Sequence, residues 1–172
     1  MRIFLLGMMG CGKSYWGKVL SKHFSLPFFD LDYEIEFDQN RTIGQIFETE
    51  GETYFRNLET EILKRFEKKD DFILALGGGT PCFNNNIEWV SKMGESIWIN
   101  ESPETIRERL LPERAHRPLL KSLTDESLLQ FLKDKIAERT PFYTKAKFIV
   151  SGSPITTENF MFIENILDKK RK

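Results

Sequence analysis

The stretch that most constrains this chain is Gly7-Met8-Met9-Gly10-Cys11-Gly12-Lys13-Ser14. An apolar run, Ile3-Phe4-Leu5-Leu6, precedes it and reads as a buried strand. Behind it, Trp16, Val19, Leu20 and Phe24 recur at helical spacing. Strand, then G-x-x-x-x-G-K-S, then helix is the pattern of a phosphate-binding loop. Glycines let the backbone turn its N–H groups inward around an anion, and the following helix adds its positive end. Lys13 is placed to reach the β- and γ-phosphates of a nucleotide, and the Ser14 hydroxyl to ligate Mg²⁺. Gly10, Cys11, Gly12, Lys13, Ser14 and Tyr15 are the expected ATP contacts. The plain alternative is a glycine-rich turn that happens to precede Lys-Ser, and the flanking strand and helix argue against it.

A chain of 172 residues suits one domain with its own core. With 40% hydrophobic and 30% charged residues it has an ordinary globular composition. The net charge of -1 excludes a general attraction to nucleic acid or to an anionic membrane, so an anionic ligand needs a local cluster of cations. The basic tail Lys169-Lys170-Arg171-Lys172 reads as a solvated end. No apolar stretch is long enough to span a bilayer, and the first apolar run is too short for a secretory leader. Two cysteines, Cys11 and Cys82, make no disulfide framework or zinc spacing. The expectation is a cytoplasmic protein, and nothing demands more than a monomer.

Strand and helix signals alternate, which predicts an α/β fold with a mainly parallel sheet. The expected strands are Arg2–Leu6, Phe28–Asp30, Phe72–Leu76, Ser96–Asn100 and Lys147–Val150. Ligands in such folds sit beyond the carboxyl ends of the strands, where the phosphate loop, Asp30, Gly77, Asn100 and Ser151 fall.

Asp30-Leu31-Asp32 places two carboxylates there. If the strand continues they diverge, because side chains alternate. Asp30 would hold Mg²⁺ directly or through water, and Asp32 would accept a substrate hydroxyl's hydrogen bond or its proton. Either could instead be a cap or turn carboxylate. Thr42-x-x-Gln45 is a capping box that opens a short helix, with Gly51 at its end. A longer helix from about Glu52 to Glu67 carries Arg56 and Glu59 on one face. They read as an exposed ion pair or as an arginine held ready for a substrate carboxylate. Gly77-Gly78-Gly79 is a tight turn or a close approach to a ligand. Ser102-Pro103-Glu104 starts a helix that runs to about Leu111. The cation-rich segment from Pro112 to Leu120 is a lid over phosphates, with Arg117 as a transition-state cation, or an ordinary loop. A helix resumes near Thr124, and Arg139, near its end, is a dipole-favoured cation or a second grip on an anion.

Taken together these residues resemble shikimate kinase. The resemblance runs in order from Gly7 to Tyr143: the phosphate loop, Asp30-Leu31-Asp32, Ile46-Phe47, Gly51-Glu52, Phe55-Arg56-x-x-Glu59, Leu76-Gly77-Gly78-Gly79, Arg117-Pro118-Leu119 and Arg139-x-Pro141-x-Tyr143. It implies a three-layer P-loop kinase fold, with a five-stranded parallel sheet, a substrate segment near residues 31–60 and a lid near 111–123. It implies transfer of the γ-phosphate of MgATP to the 3-hydroxyl of shikimate. Lys13, Asp32 and Arg117 would serve catalysis. Asp32, Arg56, Gly77, Gly78, Gly79 and Arg139 would bind shikimate, and Ser14 and Asp30 the metal. Phe47, Phe55, Glu59 and Pro118 would shape the pocket. The family's adenine-contacting arginine has two candidates, Arg109 and Arg114, and Ser151-Gly152-Ser153-Pro154 replaces the usual polar stretch after the last strand. The rival readings are another small-molecule or nucleoside monophosphate kinase of this fold, which would want an aromatic or amide-lined base pocket, and a non-catalytic ATP-binding module.

Overall fold

The computed structural model describes residues 1–112 and 123–171. Its strands are β1 (Arg2–Leu6), β2 (Phe28–Asp30), β3 (Phe72–Ala75), β4 (Glu95–Glu101) and β5 (Phe148–Gly152). They form one parallel sheet in the order β2-β3-β1-β4-β5. The helices are α1 (Lys13–Phe24), α2 (Leu31–Gln39), α3 (Ile43–Arg65), α4 (Asn86–Met93), α5 (Pro103–Leu110), α6 (Asp125–Tyr143) and α7 (Thr157–Arg171).

Side-chain alternation along the strands builds two cores, one on each face of the sheet. Ile3 and Leu5, with Ile73, Ile97 and Ile99, face α1, α5, α7 and the first half of α6. Phe4 and Leu6, with Phe72, Leu74 and Trp98, face α2, α3 and α4. Burial on both faces is why the central strands read as unbroken apolar runs. On the first face Trp16 of α1 stacks on Phe160 of α7, ring centroids 4.3 Å apart.

Local signals set most helix starts. Thr42 and Gln45 bond each other's backbone in a complete capping box. The Ser102 hydroxyl accepts from the Thr105 N–H at 3.2 Å, with Pro103 in the first turn of α5. Gly51 does not end a helix outright. It kinks α3, with φ 80° and ψ 176°, and the chain resumes helical geometry beyond it.

The structure departs from the expected boundaries in physically instructive places. β4 starts at Glu95 and reaches Glu101, and β5 runs from Phe148 to Gly152, because the two pair as far as Glu101 and Gly152. Half of the expected turn at Ser151–Pro154 is therefore strand. The last helix turn before β5 also runs on, through Pro141 to Tyr143. Tyr143 is buried to 1% exposure against Trp98, and that burial outweighs the N–H that proline lacks.

Candidate active site

The strand order brings three connections together. β1 and β3 are neighbours, with Leu5 opposite Ala75, and β2 lies beside β3, with Asp30 opposite Ala75. The chain segments that leave these strands are the phosphate loop, the Asp30–Asp32 turn and the glycine triplet. They emerge side by side at the carboxyl edge of the sheet.

In the phosphate loop, Gly12 has φ 100° as α1 begins, a conformation that a side chain disfavours. The Lys13 ammonium donates to the Gly7 and Met8 carbonyls at 2.9 and 3.0 Å, which holds it over the loop. The Ser14 hydroxyl donates to Asp30 Oδ2 at 2.7 Å. The other Asp30 oxygen accepts from the Asp32 N–H at 3.2 Å, so Asp30 caps α2. This corrects the strand-alternation picture. β2 stops at Asp30 and a helix begins at Leu31, so the two carboxylates part because one is a cap and the other lies in the first turn.

A cavity of about 410 Å³ opens here, lined by Gly10, Gly12, Lys13, Ser14, Tyr15, Asp30, Asp32, Gly78 and Arg109. A larger hollow of about 670 Å³ lies between Arg2, Glu95 and Lys170, at the amino-terminal edge of the sheet. It is remote from the phosphate loop, so the smaller cavity is the one with chemistry.

Each of the three glycines faces different groups. A methyl group on Gly77 would stand 2.6 Å from Glu59 Oε1 and 2.9 Å from Asp32 Oδ1. One on Gly78 would stand 3.0 Å from Arg139 Nη1, and one on Gly79 would stand 2.8 Å from both Arg56 Nη atoms. Their value is therefore space rather than unusual backbone angles. Two arginines and two carboxylates come close to one short turn because it has no side chains.

Arg56 is not an exposed ion pair. Its side chain is 13% exposed and its partner Glu59 is 1% exposed. Nη1 donates to Glu59 at 3.0 Å, Nε and Nη2 donate to Glu52 at 3.2 and 3.1 Å, and the Phe83 ring lies 4.4 Å from the guanidinium carbon. Glu59 also accepts from the buried Thr80 hydroxyl at 2.5 Å. Across the turn, Arg139 reaches Met8 Sδ at 3.4 Å, and the Tyr143 hydroxyl donates to the Gly78 carbonyl.

The titrating groups are tuned by this crowding. Asp32 is exposed on its cavity side, while its carboxyl is crowded by the glycine turn at Gly77. Poor hydration first, and the Asp30 charge second, push its carboxyl up to about 6, against the pull of Lys13. Burial likewise raises Glu59 above the usual carboxylate range despite Arg56 beside it. The Cys82 thiol is pushed up to about 11 by burial, so it remains protonated near neutral pH.

Gly10, Gly12, Lys13, Ser14, Tyr15, Asp30, Asp32 and Gly78 thus line one cavity, and Gly77, Gly79, Arg56 and Arg139 adjoin its floor. Cys11 sits behind the loop, fully buried, with its N–H donating to the Met8 carbonyl at 3.2 Å. Arg109 stands beside the loop. Arg114, Arg117 and Pro118 lie outside the described residues. Sequence reasoning missed Thr80, Phe83 and Glu101, and it named Glu52 only as a helix start and within the family resemblance, without its bonds to Arg56. The spacing of Glu52 to Arg56, one helical turn, was a usable signal. The Thr80–Glu59 contact spans 21 residues and has no local signature.

A family model described as shikimate kinase matches residues 9–169. The shikimate kinase of Bacteroides fragilis is 35% identical over 171 residues, covering 99% of this chain and 94% of that protein. The crystal structure of shikimate kinase from Bacteroides thetaiotaomicron superposes with a TM-score of 0.90 at 32% identity, covering 98% of each chain. Shikimate kinase from Acinetobacter baumannii, solved in complex with shikimate, gives 0.86 at 31% identity, covering 99% of this chain and 95% of that one.

Proposed function

This chain belongs to the shikimate kinase family, and we propose that its cleft transfers the γ-phosphate of ATP to the 3-hydroxyl of shikimate, giving shikimate 3-phosphate and ADP. The observation that carries this reading is the glycine turn, where Asp32, Arg56 and Arg139 meet beside the phosphate loop. A carboxylate for a hydroxyl and two arginines for a carboxylate suit a hydroxylated acid better than a nucleotide acceptor.

Phosphoryl transfer asks mainly for positioning and charge stabilisation. Lys13 and the loop N–H groups hold the phosphates. Arg56 and Arg139 grip the acceptor's carboxylate from either side of the glycines, and Glu52, Glu59 and Phe83 fix Arg56 in advance. Asp32 accepts the hydrogen bond of the attacking hydroxyl and orients it toward the γ-phosphorus. The hydroxyl oxygen bonds to phosphorus as the bond to ADP breaks. Arg117 belongs to the segment from 111 to 123 and would add a cation over the phosphates.

The donors fit magnesium. Ser14 Oγ and Asp30 Oδ2, 2.7 Å apart at the loop, are hard oxygens too few to cage an ion, and they suit one that arrives on phosphates and water. They would hold it, and when bound it neutralises phosphate charge. Residues 31–60 act as the substrate segment within a single domain. Lys13, Asp32, Arg56 and Arg139 suffice for this reading, so it needs no more than a monomer. Both cysteines are free thiols, which suits the cytoplasm. Among the described residues no helix is long and apolar enough to cross a membrane.

The test is ADP release from MgATP with shikimate, gluconate, AMP, CMP or no acceptor. Turnover with shikimate alone is expected. Turnover with another acceptor instead overturns the substrate, and ATP binding without turnover on any of them overturns the reaction.

A further inference from the structure

Glu101, the last residue of β4, has a side chain with 0% exposure. Oε1 accepts from the Ser102 N–H at 3.0 Å. Oε2 accepts from the Ile155 N–H at 3.0 Å and from Arg109 Nη2 at 2.9 Å. Burying a carboxylate is unfavourable unless its partners are good, and two backbone N–H groups alone would be served by a neutral acceptor. The third partner is the one that calls for charge. Arg109 is 38% exposed, lines the cavity beside the phosphate loop, and has Nη1 3.4 Å from the Gly10 carbonyl. Its guanidinium is therefore held between a buried anion and the loop.

We infer that Glu101 is a positioning residue for nucleotide binding: it sets the guanidinium of Arg109 as a fixed wall of the cleft and ties that wall to the chain after β5 at Ile155. The inference rests on the reading of this cleft as the ATP site. A planar cation offers a flat face to a nucleobase, and holding it in place beforehand spares the rotamer entropy that binding would otherwise remove. Asparagine or glutamine at position 101 cannot do the same work. Whichever way the amide turns, its NH₂ meets either the Ser102 N–H or the paired Arg109 and Ile155 donors.

The test measures ATP affinity by titration of the full chain in wild type, Glu101→Gln, Arg109→Ala and the double variant, with KM for shikimate alongside. Glu101→Gln is expected to weaken ATP binding about fivefold, the scale of one partly exposed charge-assisted hydrogen bond. KM for shikimate should stay within about twofold, since Arg56 and Arg139 are untouched. In the Arg109→Ala background the same change should weaken ATP binding by less than about twofold, because the partner it acts through is gone. Arg109→Lys leaves the buried anion paired with a cation but removes the planar fork, so it reads the same geometry even if Glu101→Gln fails to fold, with a loss of about threefold expected. Unchanged ATP affinity in Glu101→Gln or in Arg109→Lys overturns the inference alone. So does an equal loss from Glu101→Gln in both backgrounds, which would mean a purely structural role. A wild-type chain that takes no ATP overturns the reading of the cleft, and the inference with it.

Discussion

Asp32 is held against its own preference. An unfolded aspartate titrates near 3.8, whereas this one is pushed up to about 6 by poor hydration and by Asp30. Between those values the folded chain binds more protons than the unfolded one, so stability falls as pH rises through that window. Glu59 shifts the same way and steepens the slope. Asp32→Asn removes the charge that is poorly housed. In urea unfolding of the ligand-free chain at about pH 7.5, this variant should be at least as stable as wild type, and any margin should shrink toward about pH 4. A wild type clearly more stable at pH 7.5 would contradict this account. Turnover with shikimate should fall at least about tenfold in the same variant, less than a full general base contributes because Asp32 chiefly orients the hydroxyl. The glycines make a second case. Gly79 has φ −90°, which any residue adopts, so Gly79→Ala strains no backbone. Its methyl would instead press on an Arg56 guanidinium pinned by Glu52, Glu59 and Phe83. KM for shikimate should rise about tenfold or more while ATP affinity and unfolding midpoint barely move. A fall in stability with an unchanged KM would mean the turn, and not the arginine, was disturbed.

Among the elements, α3 shows how a helix can be bent to serve a site. Gly51 sits at φ 80° and ψ 176°, a conformation essentially reserved for glycine. Among the described residues, apart from its chain neighbours and the helix backbone, nothing lies within 4 Å of where its Cβ would be, so the main penalty of Gly51→Ala is backbone strain. The loss should be about 1–3 kcal/mol in chemical unfolding. Phe47 and Phe55 flank the kink with ring centroids 4.6 Å apart, so the bend also sets how the two parts of α3 pack together. The capping box at Thr42 and the Ser102-Pro103 start were legible, because each is a contact within one turn of chain, whereas Gly51 reads in sequence as the end of a helix and the structure makes it a kink inside one. The extent of α6 was not. Pro141 argued for an end near Arg139, and the burial of Tyr143 decided otherwise.

For the molecule as a whole, one sheet is shared by two cores. Leu20 of α1 and Leu63 of α3 are both fully buried, on opposite faces. Each change to Ala should cost about 2–5 kcal/mol, as buried leucines generally do. Because both cores use the same strands, both variants should shift a single unfolding transition, and their costs should add within about 0.5 kcal/mol. Two separable transitions would show that the faces unfold independently.

By itself the sequence was enough for the phosphate loop, the α/β class and the order of the strands along the chain. These follow from period, glycine placement and residues adjacent in the chain, which need no knowledge of what lies across the sheet. Lys13, Ser14, Asp30 and Asp32 could be named for that reason. Tertiary structure alone decided the partners. The order β2-β3-β1-β4-β5 puts Asp30 against Ser14 and the glycine triplet against the phosphate loop. It also closes the pairs Glu59–Thr80, Gly78–Tyr143 and Glu101–Ile155, which stand 21, 65 and 54 residues apart. No window of sequence contains both members of such a pair, so their interaction exists only once the sheet has brought them within hydrogen-bonding distance.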